Sequence, residues 1–220
     1  MTQFPTYPTA RREPAIAGKP VVDPAGWEPA EMRDIDRWSY ALNETDIGEL
    51  MDGVASLRQA GLALDAVGPE TFALQHLASP LKDVRQELSD GRGIVRLLGF
   101  PIEDLDRDGA MIAFLGLGSY VGTLEPQNRY GHLVGHVKSF EDPRTKPMGR
   151  GYNTNLGSPF HTDSTDYAGL MCVSEPKSGG NSRVASAVTI YNRILAERPD
   201  MAAALMTAYS KTRYGEERPG

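Results

Sequence analysis

A single cysteine, Cys172, stands in the 220 residues, so no disulfide can form within the chain. It lies in the apolar run Gly169, Leu170, Met171, Cys172, Val173, which predicts a small buried hydrophobe rather than a reactive thiol. No apolar stretch is long enough to span a bilayer. The first twelve residues carry Arg11 and Arg12 with no apolar run behind them, which is not a secretory signal, so a cytoplasmic protein with no membrane partner is expected. Basic charge is also in short supply. Lys and Arg number 23 against 29 Asp and Glu, a net charge of −6, and this gives no electrostatic footprint for nucleic acid. A local pocket can still be basic and take a small anion. The four histidines are His76, His132, His136 and His161.

What is present suits a globular protein: 40% apolar and 24% charged residues, in a chain long enough for one domain with a real core. Residues 1–28 hold Pro5, Pro8, Pro14, Pro20 and Pro24 among few large apolar residues, which predicts an extended surface or partly disordered arm. Residues 29–220 form the domain. Ile47, Leu50, Met51 and Val54 recur at the spacing of one helix face, with Asn43 or Thr45 as cap. Leu81, Val84 and Leu88 do the same; Ser79 can cap that helix, Pro80 suits its first turn and Gly91 its exit. A third helix is expected over 108–120. Between the last two, residues 93–100 are short, β-rich and bounded by glycines, which predicts a buried strand. From 129 to 159 glycine and proline imply loops, with short strands around 133–137; His132 and His136 then fall in loop or strand. Strands are expected at 160–161, 167–173 and 183–186, with the tight turn between the last two at Gly179 and Gly180. A helix through Ile190, Tyr191, Ile194 and Leu195 ends at Pro199, another runs from Met201 to about Ala208, and 209–214 can start a further strand. Helices precede strands, so the class is α+β rather than alternating βαβ.

The residues most able to carry chemistry are Phe160, His161, Thr162 and Asp163. An imidazole and a carboxylate two positions apart share one face of a strand, and at a strand end they can converge on one metal. With a second imidazole they make the facial triad of non-haem iron(II) oxygenases, which leaves three coordination positions open. Taken alone, such a tripeptide is more often a surface histidine beside an aspartate. Asp166 is the competing carboxylate and reads as a turn residue.

The surroundings change that balance. His161 is followed by Ser164 and Thr165, an apolar segment, then Lys177, Ser178, Gly179, Gly180, Asn181, Ser182 and Arg183. Further on come a hydrophobic helix and Arg198, Pro199, Asp200; upstream stand Gly91, Arg92, Gly93, Ile94, Val95 and Leu98, Gly99, Phe100, Pro101. This ordered set, over about residues 27–220, resembles the TauD/TfdA family of Fe(II)- and 2-oxoglutarate-dependent oxygenases. The resemblance implies a double-stranded β-helix (jelly roll) with flanking N-terminal helices and a helical insertion, its C-terminal part missing here. It implies His161 and Asp163 as metal ligands, and Ser182 as donor to the 2-oxoglutarate carboxylate nearest the metal. Asn153 and Asn155, just upstream, are the residues expected to face the substrate. The implied reaction uses O₂ to decarboxylate 2-oxoglutarate to succinate and CO₂ while oxidising a C–H bond of a small-molecule substrate. Hydroxylation is the usual outcome, with desaturation and ring formation as variants.

Members of that family carry a distal histidine and a distal arginine that this chain does not match. No histidine follows His161, and Arg183, Arg193, Arg198, Arg213 and Arg218 stand in other contexts. The expectation is therefore a truncated or split oxygenase. The rival is a jelly-roll remnant that binds a ligand without oxidising it. A hydrolase built on His161 and Ser164 lacks a nucleophile elbow. Oligomeric state stays open, a homo-oligomer included.

Overall fold

The computed structural model describes residues 14–128, 130–137 and 158–210. Its order is a 3-10 turn (Ile35–Trp38), β1 (Ser39–Ala41), α1 (Glu44–Gln59), α2 (Ala78–Asp90), β2 (Arg96–Leu98), α3 (Arg107–Val121), α4 (Ala187–Glu197) and α5 (Pro199–Leu205), with short 3-10 turns at Leu64–Ala66 and Ile102–Asp104. The α+β expectation holds. Among the described residues, the sheet is a parallel pair in which Ser39, Tyr40 and Ala41 face Arg96, Leu97 and Leu98. No helix there is long and apolar enough to cross a membrane.

Helix α1 starts where a reciprocal cap forms. The Asn43 side chain accepts the N–H groups of Thr45 (2.9 Å) and Asp46 (3.1 Å), and the Asp46 carboxylate accepts that of Asn43 (3.0 Å). Asp46 is fully buried and also receives the Tyr40 hydroxyl (3.1 Å) and the His76 ring (2.9 Å). Burial, with Asp46 beside it, pushes the Tyr40 hydroxyl up to about 12. The half-exposed His76 ring thus serves the junction between α1 and the approach to α2.

Helix α2 starts differently from expectation. Ser79 lies inside it, and Leu77 at the cap makes no side-chain bond. Instead Glu49, reaching from α1, accepts the N–H groups of Gln75 (2.8 Å), His76 (2.7 Å) and Leu77 (2.8 Å). A carboxylate from another helix satisfies these donors, so no local capping signal is needed.

Leu50, Val54 and Leu57 of α1, Leu81 and Val84 of α2, and Ile112, Ala113 and Leu115 of α3 close over Phe72, which is fully buried. Two glycines make the room. A Cβ on Gly53 of α1 would fall 2.6 Å from the Phe72 ring, and one on Gly116 of α3 would fall 2.4 Å from it. Gly48, also in α1, has nothing within 4 Å of its Cβ position.

The C-terminal half departs from expectation. Residues 160–161, 167–173 and 183–186 form no strand, and 133–137 is irregular. A strand exists only as half of a ladder, and among the described residues nothing pairs with these segments. Leu170 and Val173 are therefore exposed (81% and 62%), and Cys172, expected to be buried, is exposed with them. The turn at Gly179 and Gly180 is present, both at φ 74°. Helices α4 and α5 follow expectation, α5 ending at Leu205 rather than near Ala208; most of 209–214 lies outside the described residues.

Two outcomes follow. Gly48→Ala should stabilise by about 0.5–1 kcal/mol through helix propensity, whereas Gly53→Ala should destabilise by about 1–3 kcal/mol through overpacking against Phe72; urea unfolding of both distinguishes them. Burial raises the Glu49 carboxyl but its three N–H donors outweigh this, so its pKa lies below the ordinary value. A depressed carboxylate adds stability that is present above its unfolded pKa and is lost as pH falls through the folded one. Glu49→Gln should therefore be less stable than the parent at pH 7, with the gap closing below about pH 4, in unfolding curves across pH.

Candidate metal centre

The segment that carries the His161–Asp163 pair is tied to the helical core a few residues further on. The Tyr167 hydroxyl meets the Ser89 hydroxyl of α2 at 2.5 Å, and its ring lies over Gly122 at the end of α3, where a Cβ would be 3.5 Å from it. Gly169 lies on Phe114 of α3, with 3.2 Å between its Cβ position and the ring. Between these anchors and the metal motif, Ser164, Thr165 and Asp166 form a bend, closed by a bond from the Thr165 hydroxyl to the Tyr167 carbonyl (3.0 Å). Asp166 is the turn residue its position predicts. Nothing in the sequence singled out Tyr167 as the anchor; an aromatic in an apolar run carries no such signal.

The pair itself is brought together. His161 Nε2 lies 3.8 Å from Asp163 Oδ1, with side chains 57% and 59% exposed. The other ring nitrogen, Nδ1, is 2.9 Å from the Pro159 carbonyl. A carbonyl can only accept, so Nδ1 bears a hydrogen, and Nε2 is the ring nitrogen near Asp163. A backbone carbonyl on the far nitrogen is the usual way a metal-binding imidazole is oriented. Two donors on one ion at bonds of about 2.1 Å can be at most about 4.2 Å apart, and about 3 Å in adjacent octahedral positions. The observed 3.8 Å lies inside the outer limit but is wider than adjacent octahedral positions require, so the two side chains must close on each other to share one divalent cation. Among the described residues no group of three or more His, Cys, Asp and Glu side chains could hold a metal ion. His132 is exposed and lies beside Asn128 (3.0 Å), away from any such grouping.

Ser182 is exposed in the loop after the glycine turn. Its neighbour Arg183 sets its guanidinium carbon 5.6 Å from the Phe160 ring centroid, a side-chain contact between that loop and the residue before His161. Asn153 and Asn155 lie outside the described residues, as do Arg213 and Arg218. Arg193 pairs with Glu28 and Arg198 with Asp200, at 2.5 and 2.6 Å. Ser158 Oγ is 3.5 Å from His161 Nδ1, beyond a useful hydrogen bond, and Nδ1 already serves Pro159. Ser158 is therefore not placed as a nucleophile activated by His161.

The family model described as "Taurine catabolism dioxygenase TauD, TfdA family" matches residues 56–219. The chain belongs to the TauD/TfdA family. Relatives include FR-33289 synthase of Streptomyces rubellomurinus (strain ATCC 31215), 30% identical over 206 residues that cover 93% of this chain and 61% of the relative. Another is taurine hydroxylase-like protein SAT17 of Stachybotrys chartarum (strain CBS 109288 / IBT 7711), 27% identical over 211 residues that cover 93% of this chain and 54% of the relative. The chain therefore spans little more than half the length of the curated relatives it matches.

If Tyr167 is the anchor described, Tyr167→Ala should leave helices α1–α3 intact while releasing residues 158–169. Far-ultraviolet circular dichroism should stay unchanged, and limited proteolysis should speed up within that segment.

Proposed function

We propose that the protein containing this chain is an Fe(II)- and 2-oxoglutarate-dependent oxygenase that oxidises an unactivated C–H bond of a small molecule, with succinate and CO₂ as coproducts. The observation that carries this reading is the pair itself: in a TauD/TfdA chain, His161 Nε2 and Asp163 Oδ1 face each other 3.8 Å apart, with the far imidazole nitrogen held by a backbone carbonyl. In this reading His161 and Asp163 hold the iron. Ser182 donates its hydroxyl to the carboxylate of 2-oxoglutarate nearest the metal, binding it without adding charge. Phe160 and Arg183 keep the two loops adjacent, and Asn153 and Asn155 contribute to the substrate side. The iron, with 2-oxoglutarate and O₂ bound, supplies the oxidising power; the chain's own residues bind, orient and exclude water. One relative is named as hydroxylase-like, and hydroxylation is the outcome proposed here. The third metal ligand and the second anchor for 2-oxoglutarate are not supplied by the described residues.

The same reading covers the fold. Segments 167–173 and 183–186 present exposed apolar side chains, with Leu170 at 81% and Val184 at 55%, on backbone that has no ladder partner among the described residues. Both needs, apolar burial and backbone pairing, are met when further strands cover them in a double-stranded β-helix.

Anaerobic titration with Fe(II) and 2-oxoglutarate, followed by the weak visible charge-transfer band of the chelate, tests the proposal. It is run on these 220 residues and on the product of the complete natural reading frame. The band is expected in the latter, and Asp163→Ala should abolish tight iron binding and turnover there. Retained turnover in Asp163→Ala would remove that residue from the site. A band in neither protein would favour a ligand-binding jelly roll without oxidation.

A further inference from the structure

The Pro-rich arm expected to be loose is, over its described part, held by helix α4 through backbone contacts. Asn192 treats Val21 as a strand partner would: its Oδ1 accepts the Val21 N–H at 2.8 Å and its Nδ2 donates to the Val21 carbonyl at 2.8 Å. The Tyr191 hydroxyl accepts the Gly18 N–H (3.1 Å), and the Thr189 hydroxyl donates to the Trp27 carbonyl (2.9 Å). Arg193 pairs with Glu28. Gly26 fits because a Cβ there would lie 3.1 Å from Val188. At the head of the helix stands Ser186, 7% exposed. Its hydroxyl accepts the Thr189 N–H at 2.9 Å, capping α4, and donates its hydrogen to the Ala25 carbonyl. One buried hydroxyl therefore starts the helix and grips the arm.

Ser186 is four residues from Ser182. The short segment between them is pinned at Arg183 on Phe160 and at Ser186 on Ala25. The arm is in turn fixed to the core, since the Trp27 indole donates to the Arg92 carbonyl at 3.0 Å. We propose that Ser186 is a positioning residue: through its bond to Ala25 it uses the clasped arm, residues 18–28, to fix the loop that presents Ser182 to 2-oxoglutarate. This rests on the assignment of Ser182 made above.

The cap and the clasp can be separated chemically. Aspartate caps as well as serine does but cannot donate to the Ala25 carbonyl. The test is made on the complete reading-frame product. Hydrogen exchange is followed by mass spectrometry without metal, and 2-oxoglutarate affinity is measured anaerobically with Fe(II). Ser186→Asp should speed exchange at Val21 and across 181–186, leave the interior of α4 protected, and weaken 2-oxoglutarate binding about tenfold, the scale of one lost hydrogen bond. Fe(II) affinity should stay unchanged. Ser186→Thr, which keeps both bonds, should restore the parent values. Asn192→Ala removes the clasp away from the cap and should reproduce the 2-oxoglutarate defect even if Ser186→Asp does not fold. Ser182→Ala is the reference. If it weakens 2-oxoglutarate binding while Ser186→Asp and Asn192→Ala open the arm without doing so, the positioning role is overturned and the Ser182 assignment stands. If Ser182→Ala binds 2-oxoglutarate normally, the assignment fails and the positioning role falls with it.

Discussion

The exit of α2, the approach to the sheet and the N-terminal arm meet at one buried ion pair. Glu87, near the end of α2, and Arg92, just beyond it, face each other at 3.0 Å with side chains 1% and 9% exposed. Leaving either charge alone in that position would cost about 3–5 kcal/mol, so the pair acts as a unit. Its bonds reach in every direction. The Glu87 carboxylate accepts the Arg92 N–H (3.2 Å), which sets the turn out of the helix, and the Arg92 guanidinium donates to the Arg37 carbonyl (3.3 Å) just ahead of β1. Gly91 is required because a Cβ there would sit 2.6 Å from the Glu87 carboxylate. The exit of α2, the approach to β1 and the entry to β2 are thereby fixed together. Through the Arg92 carbonyl, Trp27 joins the N-terminal arm to the same point.

The candidate site hangs from this platform at separate places. Tyr167 binds α2 and lies against the end of α3; the arm, held at Trp27, grips α4 and so the loop ahead of it. The metal motif lies between these supports and is itself exposed. The helical half supplies the platform; on the loops the Pro159 carbonyl holds His161 Nδ1 and the Arg183 guanidinium lies over the Phe160 ring. Loops on a rigid scaffold are where binding groups commonly stand.

Legibility from the sequence followed the range of the interactions involved. Helices α1, α3 and α4 were readable because apolar residues recur at helical spacing, and the start of α1 and the exit of α2 because Asn43 and Gly91 act on their nearest neighbours. The start of α2 was misread at Ser79, since the group that satisfies its donors, Glu49, comes from a different helix. Strand β1 was not expected at all: three residues are too few for a period to register. The strands expected at 167–173 and 183–186 have the right residues for strands but no ladder partner among the described residues, and Cys172 is exposed for the same reason.

The sequence by itself determined the helical periods, the glycine turn and the order of family segments around His161, Asp163 and Ser182. These depend on residue identity and local spacing, which a linear chain displays. Only the tertiary structure decided which nitrogen of His161 faces Asp163, that Arg183 lies on Phe160, and that a proline-rich arm is gripped by Ser186 and Asn192. Each of these joins residues through space, or depends on where a backbone carbonyl points, and spacing along the chain records neither.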